Sequence, residues 1–204
     1  MDNIFVNTRS SIKLTGTKTI YFDPLDIEGA PQDADLVFVT HEHYDHFSPE
    51  DVKKILKEDT QIIVPMSMLE VVKENNFPVQ AIHGMLPLQT ENFDGVKCQG
   101  IPAYNSDKLY HPKDNNWLGY LVELDGKRYY AMGDTDATSE AAEVDADVIF
   151  IPIGGKYTMD ATEASEYIDK KQPELVVPVH YGDSEVGETF IKSLKHRMEV
   201  RKFW

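Results

Sequence analysis

Residues 36–46 read Leu-Val-Phe-Val-Thr-His-Glu-His-Tyr-Asp-His. The first five, LVFVT, form an uninterrupted apolar run, the pattern of a β-strand covered on both faces. The next six hold three of the chain's seven histidines, with an aspartate among them. Ser48-Pro49-Glu50-Asp51 then opens a helix, with Ser48 as N-cap, Pro49 at the first helical position and acids in the first turn. In extended backbone, residues two apart point the same way, so His41, His43 and Asp45 are expected to converge. His46 follows as the chain turns toward the helix. Imidazole nitrogen and carboxylate oxygen are the usual ligands of Zn²⁺, Mn²⁺ or Fe²⁺. A strand-end loop this dense in them predicts a metal centre.

Outward from that loop, the chain alternates short strands and helices. Residues 4–6, 11–14 and 19–22 read as strands, the last stopped by Asp23-Pro24. Residues 61–65 form a second buried strand. Ser67 with Glu70 has capping-box spacing and predicts a helix to about Asn75. The second half repeats the logic. Strands are expected over 96–102, 117–124 and 127–132, with Asp125-Gly126 as a hairpin turn. A short helix over 138–144, a buried strand over 147–152, a helix over 161–171, a strand over 175–179 and a final helix over 185–197 complete the chain. Two sheets packed face to face with helices outside both is the simplest architecture, formed as a single domain over 1–204.

Composition narrows the function. The 204 residues carry 20 Lys and Arg against 35 Asp and Glu, a net charge of −15. Such a surface repels polyanions, which argues against nucleic acid as substrate. A lone cysteine, Cys98, excludes an intrachain disulfide and a thiolate metal cluster. The opening MDNIFVNTRSSIKL has no apolar run of signal-peptide type. No stretch approaches the roughly 18 apolar residues of a membrane span. The expectation is a cytoplasmic protein acting on a small molecule, with no nucleic-acid or membrane partner. Base rates for enzymes of this size add a homo-oligomer.

HEHYDH after an apolar strand resembles the HxHxDH signature of the metallo-β-lactamase superfamily, and the rest of the chain agrees in order. Tyr21-Phe22-Asp23-Pro24 looks like the family's early strand ending in a structural aspartate. Gly133-Asp134-Thr135-Asp136 resembles its bridging-carboxylate motif, and Pro178-Val179-His180-Tyr181-Gly182 its last ligand histidine. The resemblance implies the four-layer αβ/βα sandwich, with the site at one rim between the sheets. Asp134-Thr135, residues 153–159 (IGGKYTM) and 178–182 look like the subgroup of ascorbate-phosphate lactonases and related metal-dependent hydrolases.

The resemblance implies one or two divalent ions. One would take His41 and His43; the other would take Asp45, His46 and His180; Asp134 would bridge them. The family's histidine after the strand 96–102 is missing, and Asn105 stands in its place within Ala103-Tyr104-Asn105-Ser106. Asn105 is a weak ligand for Zn²⁺, and His111, six residues on, supplies an imidazole if its loop folds inward. Asn105, His111 or water therefore completes the His41/His43 site.

The expected chemistry is hydrolysis of a small ester, lactone or phosphoester by a metal-activated hydroxide. Asp45 would orient the water and move its proton, with His111 and Tyr157 as further catalytic candidates, Tyr157 as a hydrogen-bond donor to substrate or else a packing residue. Asp23 and Asp136 are candidates for hydrogen bonds to ligand histidines, with helix-start and turn roles as the alternative. Lys156, after Gly154-Gly155, is a candidate for an anionic substrate group, with a solvated surface role as the alternative. His83 and His196 lie outside any motif and read as structural or exposed, and Cys98 as a small buried apolar residue. Two other functions share the fold: a redox enzyme of persulfide dioxygenase or diiron type, and a non-catalytic metal-binding relative.

Overall fold

The structure is a computed structural model that describes residues 3–196 and 198–201. One sheet runs in chain order through β1 (Ile4–Val6), β2 (Ile12–Leu14), β3 (Ile20–Phe22), β4 (Leu36–Phe38), β5 (Gln61–Pro65) and β6 (Ala81–Met85). The other holds β7 (Thr90–Phe93), β8 (Val96–Pro102), β9 (Leu118–Leu124), β10 (Lys127–Ala131), β11 (Val148–Pro152), β12 (Leu175–Val179) and β13 (Glu199–Val200), again in sequential order. Each sheet begins antiparallel, over β1–β3 and β7–β10, and becomes parallel, over β3–β6 and β10–β13. The helices are α1 (Pro49–Ile55), α2 (Leu69–Lys73), α3 (Ser139–Glu143), α4 (Ala161–Lys171) and α5 (Ser184–Ser193).

The period-two geometry of strands explains why the apolar runs are unbroken. Leu36 and Phe38 face the other sheet, packed in one core with Tyr120, Val122, Phe150 and Val177. Val37 and Val39 face outward into a second core with Val52, Ile55 and Val72 from α1 and α2. In the other sheet Val148 and Phe150 point inward, while Ile149 and Ile151 pack outward with Ala164 and Ile168 of α4 and Phe190 of α5. Three apolar layers thus alternate with two sheets, giving the expected αβ/βα order. Phe38 and Tyr120 touch across the inner layer with ring centroids 5.0 Å apart. The buried Tyr120 hydroxyl donates to the Val39 carbonyl at 2.9 Å, fastening the sheets beside the ligand loop.

Capping follows the expectation at α1, and side chains cap other helices as well. Ser48 caps α1 by accepting from the Asp51 amide. Asp160 and Glu163 form a capping box on α4, and Thr138 caps α3. Three expectations need correction. Ser67 makes no cap; residues Met66–Met68 form a 3₁₀ turn after Pro65, and α2 begins only at Leu69. The last helix ends at Ser193, not near 197, and Arg197 lies outside the described residues. Residues 41–47 are not extended: the amides of His46 and Phe47 both donate to the His43 carbonyl, making a tight turn. β6, β7 and β13 are strands the sequence reading left unassigned.

Candidate metal centre

The loops that leave the carboxyl ends of β3, β4, β8, β10 and β12 meet at one rim of the sandwich. They carry Asp23, residues 41–46, Asn105 to His111, Asp134 and His180. In open α/β sheets this end of the strands is where ligands bind. The His43 turn, rather than strand alternation, gathers the ligand atoms of the first loop.

Three groups of donor atoms lie close together: His41, His43 and His111; His41, His46 and Asp134; and Asp45, His46 and His180, each set within 4.8 Å of one another. His41 Nε2 and His43 Nδ1 are 3.1 Å apart. Asp134 stands between the sets. Its Oδ1 is 3.4 Å from His46 Nε2, and its Oδ2 is 3.5 Å from His111 Nε2 and 3.3 Å from His180 Nε2. Asp45 Oδ2 is 3.3 Å from His180 Nε2. All are buried except His43, which is half-buried.

Neighbouring residues aim these rings. Asp23, 1% exposed, accepts from the Thr40 amide at 2.8 Å, the Thr40 hydroxyl at 2.7 Å and His46 Nδ1 at 2.7 Å. A proton on Nδ1 leaves Nε2 of His46 to face Asp134. Asp136 does not touch a histidine. It binds Lys108 Nζ at 2.5 Å, the Ser106 amide and the side-chain amide of Asn105. Asn105 Nδ2 also donates to the Tyr157 carbonyl at 3.0 Å. With its NH₂ so engaged, Asn105 turns Oδ1 to His111 Nδ1 at 3.0 Å, and its backbone amide donates to the His111 carbonyl. The loop is therefore folded back. His111, 1% exposed, presents Nε2 to the cluster, while both ends of the Asn105 amide are occupied elsewhere. The Trp117 ring packs against His41 and His43, each at 4.9 Å between centroids, and against His111 at 5.5 Å.

Two backbone features place His180. It adopts φ 54, a left-handed conformation uncommon outside glycine. Gly154 lies against it, and a Cβ at Gly154 would collide with the His180 carbonyl oxygen. Gly133, at φ +67, likewise turns the chain into Asp134.

Burial sets the charges. It depresses His41 well below an ordinary histidine, helped by His46 and His111, and brings His111 down to about 4 against the pull of Asp134. Burial opposes charge on His46 as well, but the Asp134 and Asp23 carboxylates outweigh it and hold that imidazole protonated. Asp45 stays ionised below the usual carboxylate range: burial acts against it, and the hydrogen bond from His180 with the charge of His46 prevails. Asp134 is likewise held low by His46 and His180 despite burial.

The residues fit a divalent ion. Among the described residues five buried side-chain polar atoms lack a hydrogen-bond partner, and three of them are His46 Nε2, His111 Nε2 and Asp134 Oδ1. Unpaired buried polar atoms are costly, on the order of 1–3 kcal/mol each, so three at one point mark a place made for a charged ligand.

Other singled-out residues lie apart. Tyr157 packs edge-on against Tyr110 at 4.6 Å, and Lys156 Nζ lies 4.9 Å over its ring; the Tyr157 backbone carbonyl meets Asn105, but its side chain packs away from the histidines. His83 bonds Gln61 at 2.9 Å within the first sheet, and His196 bonds Asp169 at 3.1 Å. Cys98 is 1% exposed in the inter-sheet core, where burial pushes its thiol pKa up. Sequence reading missed Arg9, whose Nε stands 3.6 Å from Asp45 Oδ2. No motif marks it.

Residues 8–180 match the family model of the beta-lactamase superfamily domain. A UPF0173 metal-dependent hydrolase of Thermococcus onnurineus is 33% identical over 186 residues, covering 84% of this chain and 81% of the relative. A crystal structure from Parabacteroides distasonis, described as that of a metal-dependent hydrolase, superposes with a TM-score of 0.85 at 29% identity, over 98% of this chain and 91% of that one. Igni18, a metallo hydrolase from Ignicoccus hospitalis, shares the fold with a TM-score of 0.78 at 20% identity, over 98% and 94% of the two chains.

Proposed function

The chain belongs to the metallo-β-lactamase superfamily and is a metal-dependent hydrolase; on that premise we propose that it cleaves a small ester, lactone or phosphoester with a water molecule activated at the rim. The observation that carries this reading is the set of partnerless donor atoms of His46, His111 and Asp134 converging in a buried site. One ion would be held by His41, His43 and His111, a second by Asp45, His46 and His180, with Asp134 shared. Asn105 holds His111 and does not itself ligate. The substrate class is the one implied by the resemblance to the ascorbate-phosphate lactonase subgroup, and a small substrate agrees with the net charge of −15.

A divalent ion bound there supplies Lewis acidity, lowering the pKa of water from about 15.7 toward roughly 7 and polarising a carbonyl or phosphoryl oxygen. The protein's own groups do the rest. Ionised Asp45 would accept a hydrogen bond from the attacking water, turn its lone pair toward the substrate, take the proton as the new bond to carbon or phosphorus forms, and return it to the departing oxygen as the ester bond breaks. Asp134 fixes the separation of the two histidine sets. Asp23 and Asn105 hold His46 and His111 in the tautomers that leave Nε2 toward the centre. Trp117 covers the His41, His43 and His111 rings and keeps water off that side.

Elemental analysis of the purified protein, followed by an ester, lactone and phosphoester panel on the metal-replete form, tests the proposal. Activity should rise with pH, disappear on chelation and return with Zn²⁺, Mn²⁺ or Fe²⁺. Full activity after verified metal removal contradicts it.

A further inference from the structure

Arg9 lies on the turn between β1 and β2, far in sequence from every ligand. Two hydrogen bonds close that turn on itself and a third ties it to the metal centre. The Asn7 amide donates to Ser11, the Ser11 amide to Thr8, and the His180 amide to the Arg9 carbonyl at 3.2 Å. Arg9 itself is at φ 47, a strained conformation for a long side chain. The guanidinium approaches Asp45 through Nε at 3.6 Å, yet 43% of the side chain stays exposed, and among the described residues it makes no hydrogen bond. A cavity of about 210 Å³ opens beside it, with Asn7 and Arg9 on one wall and His180, Gly182 and Ser184 on the other. The carboxylate of Asp183 on that wall is turned to the amide of Glu185, capping α5.

Other cations around the rim are engaged. Lys108 is bound to Asp136, Lys113 to Glu140, and Lys156 lies over the Tyr157 ring. Arg9 is different: a charged fork with unfilled donors, in a protein of net charge −15, beside a carboxylate assigned to a metal ion. An ion that draws on Asp45 weakens the Arg9–Asp45 attraction and leaves the guanidinium able to bind an oxyanion in bidentate fashion.

We propose that Arg9 and this cavity form an oxyanion subsite, so that the substrate carries a carboxylate or phosphate group a few bonds from the one cleaved. The inference rests on the hydrolase reading for the identity of the neighbouring centre, but its test needs no turnover. A ligand bridging the two places has one carboxylate at the ions and a second at Arg9. Succinate has this form, succinamate lacks the second charge, and acetate lacks the second group.

Calorimetric titration of the Zn²⁺-replete protein with the three compounds decides. Wild type should bind succinate at least about tenfold more tightly than succinamate. Arg9→Gln should erase that preference while acetate binding is unchanged, and Arg9→Lys should keep part of it. The backbone bond to His180 survives all of these changes, and circular dichroism checks the fold. A wild type without preference for succinate, or an Arg9→Gln variant that retains it, overturns the subsite. Loss of hydrolysis across the panel with the succinate preference intact would count against the hydrolase reading alone.

Discussion

Asp23→Asn isolates the aiming of a ligand from the ligand itself. Asp23 accepts three hydrogen bonds through two oxygens: Oδ1 from the Thr40 amide, Oδ2 from the Thr40 hydroxyl and His46 Nδ1. An amide of the same shape must place its NH₂ at one of these positions. Facing the Thr40 amide it meets a donor with a donor, leaving a buried N–H unpaired at about 1–3 kcal/mol. Facing His46 it is satisfied only if the imidazole gives up its Nδ1 proton and keeps one on Nε2, the nitrogen that faces Asp134. The second arrangement is the cheaper one, and it blocks the ligand atom. Metal affinity should therefore fall about 10–100-fold, the usual effect of losing such a partner, which is about 1.4–2.7 kcal/mol. The fold should persist, with a melting temperature lowered by no more than several degrees, at about 2–4 °C per kcal/mol for a chain of this size. Titration against a competing chelator, with melting curves of the metal-free forms, provides both numbers. Wild-type affinity in Asp23→Asn would refute the tautomer argument.

His111→Ala should lower the number of ions bound per chain, measured by elemental analysis, whereas His83→Ala should leave it unchanged. Metal uptake should release a proton near neutral pH, because His46 is held protonated without metal while His41 and His111 are already neutral. Apparent affinity should thus rise with pH, read by titration in buffers of different ionisation heat; uptake without proton release contradicts the assignment. The raised His46 also stabilises the metal-free chain at and below about pH 6.5, a contribution lost as pH climbs through the folded value. Gly154→Ala should destabilise the protein by about 1–3 kcal/mol and weaken metal binding, since the new methyl must displace the His180 carbonyl; an unchanged melting temperature argues against that close approach.

The parts of the fold legible in sequence were those with strong local signals. Strands buried on both faces left unbroken apolar runs at β4, β5, β11 and β12, and the Ser48-Pro49 cap marked α1. β6 (AIHGM) and β7 (TENF) border their sheets and carry half-buried and exposed polar residues, so neither periodicity nor composition reveals them. Ser67 and Glu70 have the right spacing for a cap, but the 3₁₀ turn after Pro65 takes their place. At the site, contiguous histidines are visible in a string of letters and long-range aiming is not. That His111 faces the cluster while the Asn105 amide is engaged elsewhere depends on the loop closure between their backbones and the bonds from Asn105 to Asp136 and Tyr157, which lie far off in sequence. Arg9 reaches the centre only because the β1–β2 turn is pinned to His180.

The most direct measurement is anomalous diffraction from a crystal of the protein saturated with Zn²⁺. Two peaks should flank Asp134, with His41, His43 and His111 around one and Asp45, His46 and His180 around the other, at roughly 2.0–2.2 Å from the ligand atoms. An absence of peaks at saturating metal, or ions bound elsewhere while these side chains stand empty, would contradict the account.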